Sequence, residues 1–450
     1  MTKARLDGLQ MLILGSVFFV AIGGLMEHFN PLGMTDFLQL YVSSRCVAQH
    51  HDPYDSGALQ QFYRADAGNL PSGSSARART RREIVLVANN LPTTFFLVAP
   101  IAMLPWKAAL LVWMALIGGC FILACFCVWK VGADSAPRFY GGLLLLILVN
   151  SGLLLETGNT AGLVVSLSIL AVCCFLGHRP RAAMVGAGIV CLSVALAIKP
   201  HDAAPVWLYF LLAGGAQRKR AIQSAALTAL IIAAAVLWVG HSAPHWLPEL
   251  RSNLVQGFAA GGINNPGAST QGGRGIGQII SLQAALSLIR DDPRFYNSVT
   301  FVLCGFLLLL WCVRTLRVGF SPRSAWLALA VIAPLTMLPF YHRTYDARLL
   351  VLAVPACATL WMERRAAGQP PATPPAAAAS ALILTLAAVI LTGDIFWVAL
   401  FQITHYSAPS VTFGMIPAPL VLLALSAFYL WIYLRDSPAA GREVPHAAAD

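Results

Sequence analysis

Five short polar stretches interrupt an otherwise apolar chain, and together they hold the residue types that proton transfer and phosphate binding require. Asp36 stands in "GMTDFLQLY" (33–41), directly after the first long apolar run. Further along come "ETGN" (156–159), "KPHD" (199–202), Gln278 at the end of a glycine-rich stretch, and "YHRTYD" (341–346). A carboxylate can take a proton from a hydroxyl, while Lys, His and Arg can hold an anion, Arg through two parallel bonds to phosphate oxygens. An ionisable side chain at membrane depth costs about 3 kcal/mol, so clusters of them at helix ends are functional candidates. Each also has a plainer reading. Asp36 can cap a helix, Lys199 and Arg343 can snorkel to the interface, and His201 and His342 can be hydrogen-bonded structural histidines rather than metal ligands. His241 and His245 in "HSAPHW" have Pro244 between them and no supporting Cys or Glu, which reads against zinc.

These residues need a frame, and composition fixes its solvent. Of 450 residues 58% are hydrophobic and only 11% charged, with a mean hydropathy of +0.70. That is too few charges to clothe a water-soluble globule, so the chain is expected to be an all-α integral membrane protein. The net charge of +11 is spread over many short loops, as in a polytopic protein that orients itself by them, and nucleic acid is not an expected partner. Nine of the ten cysteines fall in apolar segments and only Cys46 in an expected loop, so there is no disulfide framework.

Apolar runs long enough for a bilayer lie near 9–29, 106–129, 139–155, 160–177, 182–198, 201–213, 221–240, 297–313, 324–340, 345–361, 377–402 and 415–434, giving about twelve crossings with a range of 11–13. Residues 93–104, "TTFFLVAPIAML", are too short to span between Pro92 and Pro105 and read as a half-helix or re-entrant segment. With twelve spans the basic loops, including "HRPR" (178–181), "QRKR" (217–220) and "ERR" (363–365), share one side, which the positive-inside rule makes cytoplasmic. "ARARTRR" (76–82) falls on the other side, in a loop about 60 residues long that escapes the rule. The first apolar run lacks a small-residue cleavage site and is expected to be retained. The outer face then owns loops of about 30–92 and 241–296. The first begins with a run in which Phe37, Leu40, Tyr41 and Ser44 recur at helical spacing, expected to be a helix in the membrane interface. The glycine-rich part of the second has no GK[ST] and no preceding strand, so it is no nucleotide loop. The expected organisation is a module over 1–361, a Pro/Ala linker over 362–376, a helix pair over 377–434 and a tail over 435–450.

The order of "TDFLQLYVSSRC", "HDPYD", "LPTTFFLVAPIAMLPW", "ETGNTAGLVVSLSIL", "ALAIKPHDAAPVWL" and "YHRTYDARLLVLAVP" resembles glycosyltransferase family 87, polytopic enzymes of the GT-C superfamily, over about residues 10–360. The resemblance implies a GT-C-like bundle that transfers a hexose, typically mannose, from a polyprenyl-phosphate donor. It implies a catalytic acid in the first outer loop, which Asp36 matches. Family members often carry Gly-Gln where Gly158-Asn159 stands here, a chemically conservative change, and a Trp-Asp-His-type cluster where this chain has 341–346.

The chemistry of the residues agrees with that implication. A sugar on a lipid phosphate already has a good leaving group, so the reaction needs a base for the acceptor hydroxyl and cations for the departing phosphate. Asp36 is expected to be the base, Arg343, Lys199, His342 and His201 the pool that binds the phosphate, and Asp52, Tyr54, Asn159, Gln278, Tyr345 and Asp346 substrate-binding. A single displacement would invert the anomeric centre. Side chains serve both roles without a cofactor, and no metal site is expected, although Asp52, Asp55 or Asp346 could hold one in a variant mechanism. The acceptor would be a glycan, lipid or protein, and the setting a bacterial inner membrane with the site facing outward. A transporter or lipid flippase is the rival reading, against which stand the lack of an internal repeat and the placing of ionisable residues at helix ends on one face. A non-catalytic envelope-assembly protein is the third, and it makes Asp36 expendable.

Overall fold

The computed structural model describes residues 2–30, 33–65, 85–177, 181–270, 279–365, 375–404, 414 and 416–436. Gln278, the basic run at 76–82, most of the Pro/Ala linker and nearly all of the tail lie outside the described residues. In chain order the helices are α1 (Lys3–Phe29), α2 (Thr35–Ala48), α3 (Ser56–Ala65), α4 (Pro92–Ala102), α5 (Trp106–Gly132), α6 (Pro137–Val149), α7 (Leu153–Thr157), α8 (Thr160–Leu176), α9 (Ala182–Ile198) and α10 (Pro200–Leu212). There follow α11 (Gly215–Ser242), α12 (Trp246–Phe258), α13 (Leu282–Ser287), α14 (Pro293–Arg317), α15 (Pro322–Thr336), a 3₁₀ helix (Thr344–Ala353), α16 (Val354–Arg365), α17 (Pro375–Leu391), α18 (Asp394–Thr404) and α19 (Pro417–Arg435). The described residues contain no strand; one antiparallel bridge pairs Ile279 with Arg343.

Seven helical segments are long and apolar enough to cross a membrane, and an eighth is counted if α17 and α18 form one bent span. The chain is therefore an all-α, multi-pass membrane protein. Three shorter apolar helices, α4, α8 and α9, accompany them. Of these α8 is largely covered by protein, and all thirteen residues from Ser324 to Thr336 on α15 are buried as well. The outer helices α1, α5, α11 and α14 instead present Val17, Leu111, Leu237 and Val302 outward, each more than half exposed. Water would penalise such faces, whereas lipid does not. α1 and α6 approach so closely that a Cβ at Gly141 would sit 2.5 Å from the Gly8 carbonyl oxygen, the backbone proximity that small residues permit between membrane helices.

Two expectations are corrected, and a third span, present as expected, gains detail. The run after Asp36 is helical, but α2 does not lie in the membrane interface: of its fourteen residues only Asp36, Arg45 and Ala48 escape burial. Phe37 stacks on Trp113 at 4.9 Å, and the Tyr41 hydroxyl donates to the Leu104 carbonyl. The polar groups that made the helix look amphipathic have protein partners, as with the Gln39 carboxamide, which accepts from the Asn90 side chain at 3.1 Å. The span expected over 377–402 is broken, bent by 56° between α17 and α18. Asp394, at the break, is buried where its carboxylate meets Arg348 at 3.1 Å and accepts from the Leu153 amide at 2.7 Å. The span over 345–361 begins as a 3₁₀ helix, whose first turn is fixed by Asp346 accepting from the Arg343 amide at 2.8 Å.

Candidate active site

α1 ends at Asn30, and α2 starts from Met34, whose backbone is left-handed at φ 55° and whose side chain makes no cap bond. Asp36 follows in the first turn. It does not cap the helix; its Oδ2 accepts from the Asn159 carboxamide at 2.8 Å. Asn159 is held in turn, because its own oxygen caps α8 by accepting from the Ala161 amide at 2.8 Å. The turn before it depends on Gly158, left-handed at φ 62°, where a Cβ would stand 2.5 Å from the Met34 sulfur and 2.8 Å from the Phe37 Cβ. Only glycine allows both that backbone and that approach. So the "ETGN" turn presses against α2 and aims one amide at one carboxylate.

The same Asn159 nitrogen donates to the Tyr345 hydroxyl at 3.1 Å, and the Lys199 ammonium lies 5.5 Å from the centre of the Tyr345 ring. Lys199, between α9 and α10, bridges two buried carboxylates, Asp202 at 3.0 Å and Asp346. It is not a snorkelling anchor. Asp202 also meets His342 Nε2 at 2.8 Å, and His342 Nδ1 faces the Phe340 carbonyl at 3.2 Å. Arg343 is held by the Tyr341 hydroxyl, by the Ile263 carbonyl at 3.1 Å and by the bridge to Ile279. Burial pushes the Asp36 carboxyl above the usual carboxylate range, against the pull of the Asn159 hydrogen bond and the charges of Arg343 and Lys199.

Asp36, Asn159, Lys199, His201, His342, Arg343, Tyr345 and Asp346, expected from separate loops, are thus joined by direct contacts and short-range charge. Asp52 and Tyr54 are not joined to them by any contact among the described residues. Tyr54 is buried, donating to the Asn90 carbonyl at 2.9 Å while its own carbonyl accepts from Asn253 at 3.1 Å. Glu249 on α12 faces Asp52 and Asp55, and burial together with those acids pushes its carboxyl up to about 7. The Asn253 side chain ties the segment around Tyr54 to α12.

Two members of the cluster escape a reading of the sequence. Asp202 is signalled only by its spacing of three from Lys199 within "KPHD", and Tyr341 only by standing two before Arg343. Beside Lys199 an apolar cavity of about 420 Å³ opens between α4, α9, α10, α11 and α12, lined by Thr93, Leu196, Pro200, Trp207, Ile232 and others. No family model, curated protein or solved structure matches this chain.

Proposed function

We propose that the protein is a membrane glycosyltransferase of the family 87 type, with a GT-C-like bundle, that moves a hexose, mannose first among candidates, from a polyprenyl-phosphate donor to an acceptor hydroxyl. The observation that carries this reading is the junction of two unlike surfaces. A polar cluster containing a positioned carboxylate and two fixed cations includes Lys199, and the next residue in the chain, Pro200, lines an apolar cavity. A donor with a charged phosphate between a sugar and a long hydrocarbon needs both, and a cavity of about 420 Å³ suits part of a lipid chain.

In the reaction, the acceptor oxygen attacks the anomeric carbon while the carbon–oxygen bond to phosphate breaks and the phosphate leaves with the bonding electrons. The acceptor proton passes to Asp36; Asn159 occupies Oδ2, so Oδ1 is the oxygen left to receive it. Its raised proton affinity suits a base whose partner hydroxyl becomes acidic only as the new bond forms. Arg343 and Lys199 supply positive charge for the departing phosphate, with half-exposed His201 at their edge. His342 is fully buried with both ring nitrogens engaged, so it supports the cluster from behind. One displacement inverts the anomeric centre. The reading places the site on the outer side of a bacterial inner membrane and the acceptor among glycans, lipids or proteins. Purified protein given a panel of radiolabelled polyprenyl-phosphate sugars and nucleotide sugars tests it. Transfer from the lipid-linked donors is expected, and transfer only from nucleotide sugars contradicts it.

A further inference from the structure

His342 presents an unusual problem of hydrogen bonding. A neutral imidazole has one N–H, and the Phe340 carbonyl, 3.2 Å from Nδ1, can only accept it. Nε2 then points a lone pair at the Asp202 carboxylate 2.8 Å away, in a place that water does not reach. Either a proton on Nε2 or a cation between the two atoms satisfies that contact. A second ring nitrogen converges on the same point: His201 Nε2 is 3.8 Å from the same Asp202 oxygen, and the three ligand atoms lie within 4.8 Å of one another.

We propose that His201, Asp202 and His342 form a site for a transition-metal dication of the zinc class. Two imidazole nitrogens and one carboxylate oxygen are a recurrent zinc ligand set, with bonds of about 2.0–2.2 Å and ligand atoms about 3.3 Å apart in tetrahedral geometry. His342 Nε2 and Asp202 Oδ1 need to open by only about half an ångström to reach that spacing. The supporting contacts are in place. The Phe340 carbonyl anchors His342 through Nδ1, so that Nε2, now in contact with Asp202, could turn to an ion, and Asp202 gives its other oxygen to Lys199 at 3.0 Å. His201 is the exposed member, so the position left open faces outward beside Lys199. That this position takes a phosphate oxygen of the donor rests on the functional reading above; the metal site itself rests on the three side chains.

The test uses purified full-length protein in detergent, stripped with a chelator and equilibrated with Zn²⁺ alone, its metal content then counted by mass spectrometry. Replacement by Co²⁺ reports geometry through the visible absorption of a tetrahedral ion. The expected result is one ion per chain, with affinity lowered at least about tenfold in His201→Ala and in Asp202→Asn. His201 is 40% exposed, so its removal leaves the fold intact and decides the matter even where Asp202→Asn does not fold. Wild-type protein that retains no zinc, as expected if a second proton on His342 fills the gap, overturns the proposal. So does zinc binding unchanged in both variants. Sugar transfer by a metal-free protein removes the phosphate role yet keeps the functional reading, and zinc binding without transfer from any lipid-linked donor keeps the metal site and removes the functional reading.

Discussion

Replacing Asn159 separates the positioning of Asp36 from the stability of the helix that carries Asn159. Its side chain does two jobs, capping α8 through its oxygen and holding the Asp36 carboxylate through its nitrogen at 2.8 Å. Serine caps helices about as well as asparagine but cannot reach the carboxylate, so Asn159→Ser should fold with a loss of no more than about 0.5 kcal/mol. A hydrogen bond to a charged group contributes about 1.5–3 kcal/mol, which corresponds to roughly a 10- to 150-fold fall in transfer rate if that bond holds the base in place. The pH profile should change in a defined direction. The Asn159 bond pulls the Asp36 carboxyl down against its burial, so without it the carboxyl keeps its proton to higher pH. A base must be unprotonated to act, so the acidic limb of the kcat/KM profile should move upward in pH. Asn159→Gln restores an amide, the residue common in family 87, and should recover most of the activity. The assay is transfer from a lipid-linked donor in detergent or vesicles, with melting temperatures for each variant. A Ser variant with wild-type rate and an unmoved acidic limb refutes the positioning role, and one that fails to fold refutes the division of labour between the two atoms.

Arg343→Gln should weaken donor use by about 2–3 kcal/mol, roughly 30- to 150-fold in kcat/KM, while the protein still inserts, because a charge-assisted contact to phosphate is lost; unchanged donor kinetics return Arg343 to a structural part. Glu249 gives a prediction about stability rather than catalysis. Its folded carboxyl holds a proton up to about pH 7, above an unfolded carboxyl, so its contribution beside Asp52 and Asp55 is full at low pH and is lost as pH rises through about 7. Hydrogen exchange in α12 and the 51–54 loop should therefore quicken across that interval and become pH-insensitive, after correction for intrinsic rates, in Glu249→Gln. Equal pH dependence in the variant contradicts this.

The helices were legible because apolar runs bounded by proline, glycine and charge mark them directly, and each span expected from hydropathy has a helical counterpart. What hydropathy cannot show is which faces meet protein. The run from Phe37 to Ser44 carries an amphipathic pattern, yet α2 is buried because α4 and α5 supply aromatic and polar partners far away in sequence. The break at Asp394 was similarly hidden, since its cause is an ion pair with Arg348, 46 residues away. The candidate site was legible as residue types at helix ends, which is how Asp36, Lys199 and Arg343 were found. Its wiring was not. Lys199 and Asp346 are 147 residues apart and Asp36 and Asn159 are 123 apart, and the packing of α7 against α2, and of α8 against α10 and the 3₁₀ helix, brings them together.

The most direct test of the central claim is the transfer rate of Asp36→Asn, measured beside its abundance in the membrane. Asparagine keeps the size of the side chain and can accept the Asn159 bond through its oxygen, but it takes no proton at neutral pH. If Asp36 is the base, the variant inserts and melts like the wild type and loses transfer from the polyprenyl-phosphate donor by at least about a hundredfold. An Asp36→Asn protein that transfers sugar at near the wild-type rate contradicts the account.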